Sequence, residues 1–175
     1  TQTKQQSKEL TMGDLTTLER ELLSKYSSLV GSIGFPAKMC SPQLAQPYSM
    51  LSRNLADPQP ADARTLRKLL QYIYHHIDEV FVMKRPENFD REKSPFVLHA
   101  FSDSNYGDWK DVEFRATTGW CFFLSGILID WKAKRQDTTS TSTYQAEMVA
   151  VNSMIDEGLW IRSLLNELEL VDSAN

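Results

Sequence analysis

Two acidic residues stand out by position. Asp103 lies in Phe101-Ser102-Asp103-Ser104-Asn105, which reads as the end of a strand, and Glu147 lies in the first turns of what reads as a long helix. A short sheet packed under a helix brings a strand-end carboxylate towards a helical one, and two converging carboxylates suit Mg²⁺ as oxygen ligands. Without the cation they repel, and one of them tends to keep its proton. Spacing alone does not single the pair out, because the chain carries 23 Asp and Glu and solvated surface acids are the commoner outcome.

Other chemistry is sparse. Cys40 and Cys121 are far apart and no CxxC occurs, so neither a zinc site nor a disulfide framework is indicated, and a reducing compartment fits best. His75-His76 is a weak metal pair, since neighbours on a helix point about 100° apart. A helix end accounts for it better.

The elements that must position Asp103 and Glu147 are legible in the C-terminal half. Strand signals come in series at Phe96–Ser102, Thr118–Leu124 and Ile127–Lys132, with Ser125-Gly126 as a tight connection, which predicts an antiparallel meander. Ser142-x-x-Gln145 reads as a capping box for a helix over residues 143–168. Trp120, Phe122 and Phe123 read as core rather than as a base-stacking platform. Trp109 and Lys110 fall on an expected turn.

The N-terminal half reads as helical. Residues 1–13 form a polar lead-in; Leu15, Leu18, Leu22, Tyr26, Leu29 and Ile33 recur at helical steps, with a loosening expected at Gly31 or Gly34. Ser41-Pro42 opens a further helix expected to reach Leu55, and Asp57-Pro58-Gln59-Pro60 ends it. A third helix over residues 61–74 carries Leu66, Leu69, Leu70 and Ile73 on one face and Arg64, Arg67 and Lys68 largely on the other. Val80-Phe81-Val82-Met83 reads as a short strand, and residues 85–95 as a linker. The expected division is therefore a lead-in at 1–13, a helical segment at 14–84, a linker at 85–95 and an α/β (α+β) unit at 96–175.

Composition bounds the function. With 41% hydrophobic and 24% charged residues the chain is globular in type, and its longest apolar runs fall far short of a bilayer span, so no membrane role is expected. The net charge is −4, unlike a free-standing nucleic-acid binder, but it is unevenly spread. Residues 1–95 carry 13 Lys/Arg against 11 Asp/Glu, and residues 96–175 carry 6 against 12. Thr1 at the start is read as a cut inside a longer polypeptide.

Several blocks, in order, resemble the copia-type retrotransposon Pol polyproteins. Lys25-Tyr26-Ser27-Ser28-Leu29-Val30-Gly31-Ser32 is similar to Y-R-S-L-V-G-S-L near the end of their reverse transcriptases. Ser49-Met50-Leu51-Ser52-Arg53 resembles S-x-L-S-R, and Arg67-Lys68-Leu69-Leu70-Gln71-Tyr72-Ile73 resembles R-I-L-R-Y-L. Phe101-Ser102-Asp103-Ser104-Asn105 is similar to Y-S-D-A-D, and Thr118-Gly119-Trp120-Cys121-Phe122-Phe123-Leu124 to T-S-G-Y-V-F-F-L. Asp130-Trp131-Lys132-Ala133-Lys134-Arg135-Gln136 resembles S-W-S-S-K-K-Q, Ser140-Thr141-Ser142-Thr143-Tyr144-Gln145-Ala146-Glu147 resembles S-S-T-E-A-E, and Leu159-Trp160-Ile161-Arg162 resembles I-W-L-R.

The resemblance implies a helical reverse-transcriptase tail followed by a truncated RNase H-like fold of three antiparallel strands plus a long helix. It implies two Mg²⁺ ions, with Asp103 as the first metal carboxylate and Glu147 as the second, and hydrolysis of RNA in an RNA–DNA hybrid. By position, Ser142, Thr143 and Gln145 match the turn that meets the hybrid's minor groove, and Arg64, Arg67 and Lys68 lie where a helix follows its phosphates, although a solvated helical face is an equal reading. The implied partners are the hybrid and the remainder of the Pol polyprotein, and the implied setting is a cytoplasmic virus-like particle or the nucleus.

Departures set further expectations. Asn105 replaces the family's second Asp, and Met39-Cys40-Ser41-Pro42-Gln43-Leu44 replaces T-R-P-D-I. The third family carboxylate, on a strand reading C-D-N after the helix, has no counterpart before Asn175, and Asp172 is no substitute. Residues 1–175 are therefore expected to be inactive alone, as a fragment of the nuclease or a non-catalytic remnant or assembly module. An exposed sheet edge would then invite self-association.

Overall fold

A computed structural model describes residues 11–84, 87, 90, 96–106 and 115–170. Five α-helices and a three-stranded antiparallel sheet follow one another as α1 (Thr17–Ser24), α2 (Tyr26–Met39), α3 (Ala45–Ser52), α4 (Pro60–His75), β1 (Leu98–Asn105), β2 (Thr117–Leu124), β3 (Ile127–Arg135) and α5 (Thr143–Glu167). The mixed α/β class and the strand meander expected from the sequence are both present.

The helical half closes around one apolar cluster: Tyr26, Val30, Ile33 and Ala37 of α2, Leu44 and Leu51 around α3, and Leu66 and Leu69 of α4. Tyr26 is almost wholly buried, and its hydroxyl donates to the Leu51 carbonyl at 2.8 Å. Burial, with Asp62 adding to it, raises the phenol pKa well above its ordinary value. The break expected at a glycine falls instead at Lys25, which has φ −109° and ψ 13° and ends α1. Gly34 has a different reason to be glycine: a Cβ there would lie 2.9 Å from the Tyr48 Oη, so its absence lets α3 approach α2.

Two further expectations are corrected. Ser41 makes no side-chain cap; a single 3₁₀ turn at Pro42–Leu44 leads into α3, which ends at Ser52 rather than Leu55. Residues 80–83 form no strand, and all four are exposed. Alternation marks one face of an extended segment, but it supplies no neighbour for the ladder. The Phe81 ring contacts Trp131 edge-on instead, at 6.2 Å between centroids.

The sheet has the order β1-β2-β3, with Ser102 opposite Trp120 and Asp103 opposite Gly119. Ser125 and Gly126 close the β2–β3 hairpin, both with positive φ (48° and 86°), the pair of left-handed residues that a two-residue turn of this twist requires. A register shift between Phe122 and Phe123 leaves Ile129 of β3 without an opposite residue, a β-bulge.

One sheet face buries Trp120 and Phe122 against Ile161 and Leu165 of α5, with Leu98, Ala100 and Leu124 at the margin. The other face meets the helical half. Trp131 Nε1 donates to the Ala37 carbonyl at 2.9 Å, Arg53 Nη2 donates to Thr117 Oγ1 at 2.7 Å, and α3 packs against β3. The linker expected at residues 85–95 lies outside the described residues except for Glu87 and Asp90.

Candidate functional site

Glu147 owes its position to the start of α5. Ser142 has extended backbone, and its hydroxyl accepts from the Gln145 N–H at 3.2 Å, which satisfies one free donor of the first turn. Gln145 reaches back one residue further than expected: its Oε1 accepts from the N–H and the hydroxyl of Thr141, at 2.7 and 2.9 Å. Buried Gln136, just beyond β3, then fixes this turn to the sheet. Its amide donates to Thr118 Oγ1 at 3.0 Å and to the Ala146 carbonyl at 2.8 Å, while its Oε1 accepts from Ser140 at 3.0 Å. Ala146 and Ala150 are fully buried, so α5 lies close to the sheet at this end.

Thr118 is opposite Ser104, so the anchored turn of α5 and the Asp103–Ser104 end of β1 occupy the same end of the sheet. Glu147 is half-buried there. Asp103 is exposed, and strand alternation places it with Phe101 and His99 on the face away from α5, whereas Ser102 and Ser104 share the α5 face with Trp120 and Thr118. The fold thus brings both acids to one end and sends them out on different faces of β1, which is an edge strand. Among the described residues no group of three or more His, Cys, Asp or Glu side chains could hold a metal ion. Two hard oxygen donors are present, but the described residues do not make a magnesium site by themselves.

The other candidates separate clearly. Ser142, Thr143 and Gln145 are exposed around the α5 start, with Ser142 and Gln145 engaged in capping. Arg64 and Arg67 converge on Glu19 of α1, with their Nε atoms 3.7 and 3.6 Å from its Oε1, and Arg64 Nη2 donates to the Asp14 carbonyl at 3.1 Å. The Glu19 side chain is only 2% exposed. Its carboxylate also accepts from the Thr16 N–H and hydroxyl, both at 2.9 Å, and these bonds, led by the backbone one, hold its pKa below the ordinary value. Lys68 is exposed on α4. Trp109, Lys110 and Asp172 lie outside the described residues. His76 caps the end of α4, its Nδ1 2.7 Å from the Tyr72 carbonyl oxygen, as a helix-end role requires.

Sequence reasoning missed two features. The Thr16-x-x-Glu19 capping box was readable as a pattern, but the two arginines that reach it come from 45 or more residues away. A groove of about 310 Å³ beside α5 is lined by Trp120, Lys132, Lys134, Arg135, Gln136 and Val149, among others. The alternation Lys132-x-Lys134 on β3 was its signal. The Lys132 ammonium sits 5.0 Å from the Trp120 ring centroid, and Lys134 pairs with Asp137 at 2.8 Å, which holds the Asp137 pKa low. Cys121 is no candidate nucleophile, since burial raises its thiol pKa.

Comparison with known proteins adds the decisive observation. Residues of this chain match the retrovirus-related Pol polyprotein from transposon RE1 of Arabidopsis thaliana at 27% identity over 145 residues, 83% of this chain and 9% of that protein. The polyprotein from transposon TNT 1-94 of Nicotiana tabacum matches at 26% over 146 residues, 83% of this chain and 10% of that protein. This chain is similar to the Pol polyproteins of retrotransposons. The secreted RxLR effector protein 161 of Plasmopara viticola is also similar, at 29% identity over 138 residues, 78% of this chain and 90% of that protein. This Pol relative therefore spans about a tenth of each polyprotein and most of the effector. No family model matches it, and no solved structure does. No helix among its described residues is long and apolar enough to cross a membrane.

Proposed function

We propose that this chain belongs to a copia-type retrotransposon polyprotein, with residues 14–84 ending the reverse transcriptase and residues 96–175 beginning an RNase H-type nuclease segment. The observation that supports the reading is a three-stranded meander crossed by an N-capped helix, with Asp103 and Glu147 at the same end of the sheet but on different faces, so the parent's remaining residues must complete any metal site. Magnesium held in the complete parent would stabilise the attacking and leaving oxygens during hydrolysis of RNA in an RNA–DNA hybrid. The chain's own share is to offer two carboxylate donors and to present the hydroxyls and amide of Thr141–Gln145 to ribose 2′-OH groups. Lys132 on the groove wall is a better phosphate contact than Arg64, Arg67 or Lys134, because the arginines are drawn to Glu19 and Lys134 to Asp137.

The test is Mg²⁺-dependent cleavage of an RNA–DNA hybrid by the Pol polyprotein containing this segment. Asp103→Asn and Glu147→Gln should each lower the rate by at least about 100-fold if the acids hold the catalytic metals, and unchanged rates would sink the reading. Residues 1–175 alone should not cleave, and robust cleavage lost in Asp103→Asn would overturn that expectation.

The similarity to the effector, which this chain covers over 90% of its length, favours a second reading: the segment works outside a polyprotein as a non-catalytic binding or assembly module. A single cooperative unfolding transition for residues 1–175 would support independent folding. A broad, non-cooperative melt would count against it.

A further inference from the structure

Positive charge is unevenly placed within the acidic C-terminal half. Residues 96–175 carry 6 Lys and Arg, and three of them, Lys132, Lys134 and Arg135, line the groove beside α5, where Asp137 is the one acid among the described lining residues. The groove is walled by β2, β3 and α5, which follow one another in the chain. Lys132 and Lys134 stand opposite Trp120 and Thr118, on the sheet face that α5 covers. α5 turns Val149 and Ser153 to them, whereas Glu147, about 200° round the helix from Val149, faces away from the groove.

The two lysines are held differently. The Lys132 ammonium lies over the Trp120 ring, 5.0 Å from its centroid, and the acid next to it on this face, Asp130, accepts from Trp120 Nε1 at 3.3 Å instead. Lys134 donates to Asp137 at 2.8 Å, but their side chains are 55% and 81% exposed, and an ion pair so open to water contributes little and exchanges readily. That bond, and behind it the charge of Arg115, holds the Asp137 carboxyl below its ordinary pKa, so at neutral pH an anion already sits at the rim of the groove.

We propose that the groove takes two consecutive phosphates of a nucleic-acid strand, one on Lys132 and the next on Lys134 in place of the Asp137 carboxylate. Residues two apart on a β-strand are separated by about 6.6 Å along it, close to the step between neighbouring phosphates of a single nucleic-acid strand. Asp137 is then an internal stand-in for the second phosphate, and it restrains binding until a strand displaces it. The hydroxyls of Thr138 and Ser153 line the same cleft and suit phosphate oxygens as donors. The inference rests on the nucleic-acid partner of the proposed function but not on its hydrolytic step, since neither Asp103 nor Glu147 lines the groove.

Fluorescence anisotropy of a labelled oligothymidylate, at low ionic strength and without Mg²⁺, tests the proposal on residues 1–175. The wild-type chain should bind it. Lys132→Gln should weaken binding by about fivefold or more and flatten the slope of log affinity against log salt by about 0.7, the share of one phosphate contact. Asp137→Asn should tighten binding by about two- to fivefold, and that gain should vanish in a Lys134→Gln background, because Asp137 acts through that ammonium. All three side chains are exposed, and circular dichroism confirms that each variant is folded. No binding by the wild type, unchanged binding by Lys132→Gln, or an Asp137→Asn gain that survives without Lys134 overturns the proposal. So does thymidine monophosphate that displaces the strand at an equal concentration of phosphate, since it would mark a site for one phosphate rather than two. Hybrid cleavage by the polyprotein is measured separately: lost cleavage control by Asp103 and Glu147 with strand binding intact sinks the nuclease reading alone, and indifferent lysines with cleavage intact sink this one alone.

Discussion

The Gln136 side-chain amide donates to the Ala146 carbonyl at 2.8 Å, so a residue just past β3 holds the first turn of α5 to the sheet. Replacing it with leucine removes that bond and the one to Thr118 and leaves buried acceptors unpaired. Gln136→Leu should cost about 1–3 kcal/mol in urea denaturation. If the anchoring is local, hydrogen exchange should quicken at residues 143–147 more than in α4.

Trp131 joins the sheet to the helical half through its bond to Ala37. Trp131→Phe keeps the ring and deletes the donor, with an expected loss of about 1 kcal/mol. Denaturation followed separately by far-UV and aromatic signals checks the consequence: the transitions should stay coincident in the wild type and move apart in the variant.

Glu19 sets an acid limit on the helical half. Its folded pKa is depressed by the Thr16 bonds and then by Arg67 and Arg64, so its contribution is complete above the ordinary glutamate value of 4.5 and fades as pH falls through the lower, folded value. Glu19→Gln should therefore be less stable than wild type at pH 7, with the difference shrinking towards pH 3. A difference that grew on acidification would contradict this sign.

Two glycines of α2 should respond in opposite directions. Gly31 has nothing within 4 Å of where a Cβ would lie, so Gly31→Ala should stabilise by about 0.5–1 kcal/mol through helix propensity. Gly34→Ala drives a methyl against the Tyr48 ring and should cost about 1–3 kcal/mol. Thermal melts of the two variants separate propensity from packing.

Long periodic patterns were the legible part of this chain. The 25 residues of α5 and the three strands follow the apolar spacing closely, because α5 and β2 share the core of Trp120, Phe122, Ile161 and Leu165 and the other strands flank it. Val80–Met83 shows the limit: its run of strand-favouring apolar residues is as clear as that of β2, but a strand needs a neighbour, and sequence does not say where one will be. Arg64 and Arg67 show another, since the buried Glu19 that draws them in belongs to α1 and only the tertiary fold brings it under α4. Asp103 and Glu147 stand out in the sequence by residue type and by the motifs they resemble, yet the face of β1 from which Asp103 emerges depends on the register with β2, which a one-residue slip would invert.

The bulge at Ile129 also limits growth. Fibrils lengthen because every added molecule offers a fresh docking side, whereas this chain has already used one of its two flanks on a kinked, cationic strand backed by α3. A bent, positively charged strand is a poor template for a further one, so the β3 flank resists amyloid-like propagation.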